Sequence, residues 1–113
     1  SSKDVLSESF IMHDSSVTTN RKKILKSLDK LSKKVFGIRQ TGSSVINFAS
    51  VASGGADAYV EYSNKPWDNA AGFLLVKEAG GIVTNFRGDD TNFYDKSFIA
   101  SNGKIHKQLL STL

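Results

Sequence analysis

The sequence predicts an α/β fold: a layered domain with a mostly parallel or mixed sheet of about five strands flanked by helices. Three features predict it. Short runs rich in β-branched and aromatic residues alternate with longer stretches whose apolar residues recur at helical spacing. The connections between them are short, and the glycine pairs 54–55 and 80–81 end two of the helical stretches. At 113 residues the chain has the length of one domain, so residues 1–113 are expected to fold as a single unit.

Taken in order, "SFIMHD" reads as a short buried strand. In "RKKILKSLDKLSKK" and the valine after it, Ile24, Leu28, Leu31 and Val35 fall at i, i+4, i+7 and i+11, which aligns them on one helical stripe. Asn20 is placed to cap that helix and Gly37 marks its exit. "VFGIRQ" is a second strand, leading into "TGSSVINFASVASGG", where Val45, Phe48, Ala49 and Ala52 form an i, i+3, i+4, i+7 face. "ADAYVEY", with its tyrosines and valine, is a third strand. "SNKP" breaks the chain, and a helix runs from about Trp67 to Ala79. "GIVTNF" and "SFIAS" are two further strands on either side of a polar turn at "RGDD". "KIHKQLLSTL" closes as a helix with Ile105, Leu109 and Leu113 on one face.

Composition narrows the functional classes. There is no cysteine, which excludes disulfides, thiolate zinc sites and cysteine nucleophiles, and a cytoplasmic setting is expected. The longest apolar run, Ala70 to Val76, is too short to cross a bilayer, and the N-terminus lacks the basic-then-apolar order of a signal peptide, so no membrane partner is expected. The net charge of +4 gathers on the first helix. Its lysines fall mostly opposite the apolar stripe, where long cationic side chains make an ordinary solvated face. Nucleic acid is not expected as a partner, because no aromatic platform interleaves the charges and no groove-reading motif accompanies them.

In α/β folds, ligands gather where strands run into helix N-termini, whose amides and dipole favour anions. "RQTGSS" offers Gly42, Ser43 and Ser44 at such a passage, although a serine there also serves as a plain N-cap. "YVEYSNKPWD" puts Glu61 near a strand end and Asp68 at a helix start, while Arg39 ends another strand. If those ends converge, two carboxylates and an arginine share one rim. Asp68 itself has two readings: an N-cap for its own helix, or a hard oxygen ligand for Mg²⁺, which favours carboxylates, water and phosphate oxygens. His13 and His106 are far apart and read as surface or strand-edge residues, which argues against a histidine metal site. Asp89 and Asp90 read as turn residues.

"WDNAAGFLLVKEAGG" resembles the C-terminal signature of the inositol monophosphatase family: a tryptophan-aspartate pair, a small-residue helix and a glutamate-alanine-glycine-glycine ending. "IRQTGSS", "VASGGADAYVE" and "FIASNGKIHKQLL" resemble the same family in the same order, covering nearly the whole chain from the first strand onward. The resemblance implies that Asp68 binds a catalytic Mg²⁺ and approaches the substrate, making it both catalytic and metal residue. It implies that Glu61 accepts a hydrogen bond from a sugar or inositol hydroxyl. It implies further that Gly42, Ser43 and Ser44 line the substrate pocket, that Arg39 braces the acidic residues or reaches the substrate, and that Pro66 and Trp67 position the loop. The run Ala70, Ala71, Gly72 is expected to let its helix pack closely.

The aspartate-proline-isoleucine-aspartate-glycine-threonine segment of the family's N-terminal half has no counterpart here. The chain is therefore expected to be the C-terminal, substrate-binding half of a Mg²⁺-dependent phosphatase. Its substrate class is a phosphorylated polyol or sugar, inositol monophosphate or fructose 1,6-bisphosphate among them. Its partners are expected to be an N-terminal half and a second copy in a homodimer, and alone it is expected to be inactive. A non-catalytic binding module, or an autonomously folding fragment, is the alternative from a different class.

Overall fold

The structure is a computed structural model that describes residues 5–14 and 17–113. A single 3-10 turn, Leu6–Glu8, leads into β1 (Phe10–Asp14), α1 (Val17–Ser32), β2 (Gly37–Arg39), α2 (Ser44–Ser53) and β3 (Ala58–Glu61). Then follow α3 (Pro66–Glu78), β4 (Ile82–Thr84), β5 (Phe98–Ser101) and α4 (His106–Thr112). The five strands form one sheet in the order β2-β1-β3-β5-β4. β1 runs parallel to both β2 and β3, while β5 runs antiparallel to β3 and β4. The sheet is thus mixed, with β2, β1 and β3 forming its parallel half.

Side chains of consecutive strand residues point to opposite faces, and the central strands use this to build two cores. Met12, Tyr59, Phe98 and Ala100 point to one face, where they meet Phe48 and Val51 of α2 and Phe73 and Val76 of α3. Ile11, Ala58, Val60 and Ile99 point to the other, against Leu31, Ile105 and Leu109 from α1 and α4. Phe48 is the hub of the first core, with its ring centroid 5.0 Å from that of Tyr59, 5.9 Å from Phe73 and 5.4 Å from Phe98. Burying such a ring contributes about 1.5–3 kcal/mol. Gly72 permits the arrangement: a Cβ there would lie 2.1 Å from a Phe48 ring carbon, so only glycine lets α3 lie this close to α2.

Four local expectations are corrected. α1 begins at Val17, so Asn20 lies inside the helix rather than capping it. α2 buries Asn47, Phe48 and Val51 rather than the face expected from Val45, Phe48, Ala49 and Ala52, and Val45 is 67% exposed. In α3 the close packing expected of Ala70, Ala71 and Gly72 falls to Gly72: the helix buries Asn69, Gly72, Phe73 and Val76, while Ala70 and Ala71 are exposed, Leu74 is 61% exposed and Leu75 45%. Both histidines are buried instead of lying at the surface. His13 of β1 contacts Ser27 Oγ through Nε2 at 2.9 Å, and His106 lies between Thr84 Oγ1 and Ser101 Oγ, each at 2.7 Å. Hydroxyl partners at both nitrogens of His106, and at Nε2 of His13, offset the cost of burying a neutral imidazole, a signal that sequence spacing does not carry.

Candidate functional site

The parallel register pairs Asp14 at the end of β1 with Glu61 at the end of β3. Residues paired in a parallel ladder share a face, so the two carboxylates stand side by side, on the face that α2 and α3 cover. The start of α2, fed by β2, and the start of α3, fed by β3, lie beside these ends. A pocket of about 320 Å³ opens there, lined by Asp14, Glu61 and Asp68 together with Gly42, Ser44 and Lys65. Its position at the carboxyl ends of parallel strands is where α/β sheets present ligand sites.

Two of the three carboxylates are held by the protein's own donors. Asp14 accepts from the amides of Thr41 at 3.0 Å and Gly42 at 3.2 Å and from Asn47 Nδ2 at 2.6 Å. Asn47 is oriented in turn by the Thr41 hydroxyl, which donates to its Oδ1 at 2.8 Å. Gly42 has φ of 75°, a left-handed conformation that glycine adopts without a Cβ penalty, and this turn aims its amide at Asp14. Glu61 accepts from the Tyr59 hydroxyl at 2.6 Å and from the amides of Tyr62 at 3.1 Å and Ser63 at 3.3 Å. Burial, together with the neighbouring Glu61 carboxylate, pushes the Tyr59 phenol well above its ordinary range, so it remains a donor.

Asp68 differs. Lys65 occupies the N-cap and Pro66 the first helical position, which makes Asp68 the third residue of α3. The cap reading is therefore overturned, and the Asp68 carboxylate accepts no hydrogen bond among the described residues. At this position a carboxylate is favoured by the helix dipole while its oxygens remain open to the pocket. Pro66 fits the first turn because its missing N–H would have no helical partner there. The Lys65 ammonium lies 5.5 Å above the exposed Trp67 ring.

Of the remaining sequence candidates, Gly42, Ser44, Glu61 and Asp68 line one pocket. Ser43 turns away to cap α2, accepting from the Ile46 amide at 3.3 Å. Arg39, on the edge strand, lies with its guanidinium 5.0 Å over the Phe10 ring and is not among the residues lining the pocket. Asp14 and Asn47 were not singled out by sequence. An aspartate closing a strand reads as a simple terminator, and its donors come from 27 to 33 residues further on.

No group of three or more histidines, aspartates and glutamates comes together to hold a metal among the described residues. With Asp14 and Glu61 engaged by amides and hydroxyls, Asp68 is the carboxylate with oxygens to offer. That suits Mg²⁺ only in part, since this ion takes one or two carboxylates along with waters and phosphate oxygens. The donor set fits as one contributor to a larger site.

Comparison with known proteins gives the same pattern throughout. The sequence profile of the inositol monophosphatase family matches residues 1–113. A fructose-1,6-bisphosphatase/inositol-1-monophosphatase of Thermotoga maritima is 42% identical over 88 residues, which is 78% of this chain and 34% of that protein. The chloroplastic phosphatase IMPL1 of Arabidopsis thaliana is 40% identical over 101 residues, 89% of this chain and 26% of that one. The crystal structure of the extragenic suppressor protein suhB from Bartonella henselae superposes with a TM-score of 0.92 at 33% identity, covering 99% of this chain and 44% of that chain. The chain therefore spans less than half the length of each of these relatives. With a full-length profile match, relatives at 40% identity or more and a shared fold, this chain belongs to the inositol monophosphatase family.

Proposed function

We propose that the chain forms the substrate-binding and metal-contributing half of a Mg²⁺-dependent phosphatase that hydrolyses inositol monophosphate or a related sugar phosphate, fructose 1,6-bisphosphate included. The observation that carries this reading is Asp68: an open carboxylate at a helix start, in a pocket whose other two carboxylates are already satisfied. The names of the relatives, phosphatases of inositol and sugar phosphates, support it.

In this reading Asp68 donates one oxygen to the metal. The N-terminal ends of α2 and α3 turn their positive dipole ends towards the pocket, which favours a phosphate over a neutral group. Glu61, fixed by Tyr59 and two amides, holds its carboxylate in a set direction towards a substrate hydroxyl. Asp14 acts through Gly42, holding the Thr41–Ser44 turn in shape. When bound, Mg²⁺ lowers the pKa of a coordinated water and neutralises charge on the phosphate.

One metal carboxylate does not suffice for this chemistry, so the reading requires a second polypeptide segment that brings the others. Val45, Ile46 and Leu74, all more than half exposed on the adjacent helices α2 and α3, offer it an apolar surface beside the pocket. The test is phosphate release, with Mg²⁺, from inositol 1-phosphate and fructose 1,6-bisphosphate. The chain alone is expected to be silent, and a mixture with the separately produced N-terminal half of a family member is expected to be active. Turnover by the chain alone would overturn the split-site reading.

A further inference from the structure

The sheet face opposite the carboxylate pocket carries a second concavity. Lys23, Lys26 and Lys30 of α1 line a groove of about 170 Å³ together with Ser27, Tyr62 and Leu113. The spacing i, i+3, i+7 brings the three ammonium groups to one side of the helix. Among the described residues the ion pairs are Lys33–Asp29 and Arg87–Asp89, so none of the three groove lysines is paired with a carboxylate. Three unneutralised cations around one depression repel one another, and an anion between them removes that cost.

The floor is polar and fixed. Ser27 is 2% exposed, with its hydroxyl 2.9 Å from the buried His13 Nε2. Tyr62 stacks on Phe86 with centroids 4.7 Å apart, and its ring lies 5.9 Å from that of His13 at a tilt. Ser27 and Tyr62 are hydrogen-bonded to each other, which fixes the base, and the flexible ammonium arms at the rim are the donors that phosphate oxygens take.

We propose that this groove binds a compact phosphate-bearing small molecule, held by the ammonium groups of Lys23, Lys26 and Lys30 above the Ser27 and Tyr62 hydroxyls. The site lies across the sheet from Asp68 and stands whether or not the chain takes part in ester hydrolysis.

Pyrophosphate is the probe. It is titrated into the ¹⁵N-labelled chain in the presence of EDTA, so that no metal can bridge it to the carboxylate pocket. Saturable shifts are expected at residues 23–30 and 62, and Lys26→Ala/Lys30→Ala is expected to weaken binding roughly tenfold or more, as for the loss of two charge-assisted contacts. Lys22→Ala/Lys77→Ala removes the same charge outside the groove and is expected to leave the affinity within about twofold. Equal weakening by both double variants, shifts that never saturate, or shifts confined to Gly42, Ser44 and Asp68 would overturn the proposal. So would binding seen only with long RNA, which would make the helix a diffuse polyanion surface.

Discussion

At the scale of single residues, the site depends on which carboxylates are satisfied and which are not. Glu61 is 4% exposed and accepts from three donors. In Glu61→Gln, the amide has one acceptor oxygen where the carboxylate has two, and its NH₂ faces a donor. A loss of about 1–3 kcal/mol is expected, read from urea unfolding at pH 7. His13 gives a second prediction. Burial pushes its pKa down from 6.5 to about 4, and burial lowers that of His106 as well. The unfolded chain then binds protons that the folded chain refuses, so the contribution is fully present above about pH 6.5 and is lost as pH falls towards 4. For His13 it amounts to at most roughly 3 kcal/mol. Urea midpoints are expected to fall between pH 7 and pH 4.5, and His13→Gln is expected to flatten that slope by about one proton. A slope unchanged by the substitution would contradict this assignment.

Residue by residue, the sequence was most informative where function is written locally. The strand ends and helix starts around Gly42, Glu61 and Asp68 carry recognisable chemistry, and the structure gathers them in one pocket. Asp14 was illegible because what makes it part of the pocket is a distant amide turn and Asn47, contacts that no local pattern records. The burial of His13 and His106 was hidden for the same reason.

At the scale of elements, α2 shows the limit of periodicity. Its two apolar stripes are both consistent with a 3.6-residue repeat, and Asn47 decides between them. This polar residue faces inwards because it donates to Asp14, which turns Val45 outwards. The strands were more legible: their short β-favouring runs predict five of them, and five form the sheet. Strand order was not legible, because pairing between β3 and β5 joins segments almost 40 residues apart across α3 and β4. The contact of α2 with α3 yields a third prediction. Gly72→Ala places a Cβ 2.1 Å from a Phe48 ring carbon, so the ring must move within a closely packed cluster. A loss of about 1–3 kcal/mol is expected, visible as a lower thermal midpoint, with Phe48→Leu in the same chain recovering part of it.

At the scale of the whole molecule, helices cover both faces of the sheet, but one helical layer leaves apolar residues on its outer side. α1 and α4 cover their sheet face, whereas the outer sides of α2 and α3 present Val45, Ile46, Leu74 and Leu75 to solvent. An apolar patch beside a pocket marks an interaction surface. The isolated chain is expected to associate as its concentration rises, and Ile46→Lys/Leu74→Lys is expected to keep it monomeric in sedimentation velocity without loss of helical circular dichroism. Association unchanged by the double variant would place the contact elsewhere. The same surface lies partly on the helix that carries Asp68, and the chain spans 44% of the Bartonella structure it matches. Under the proposed function, the apolar patch and the open Asp68 carboxylate both call for one partner, a segment that completes the site.

The most direct test is the turnover number of the reconstituted mixture, the wild-type chain against Asp68→Asn, at saturating Mg²⁺ and inositol 1-phosphate. The amide keeps shape and volume but surrenders the charge offered to the metal, and a fall of about a hundredfold or more in kcat is expected with folding and association unchanged. An Asp68→Asn mixture that turns over as fast as wild type would contradict the account, for the open carboxylate would then have no part in the reaction.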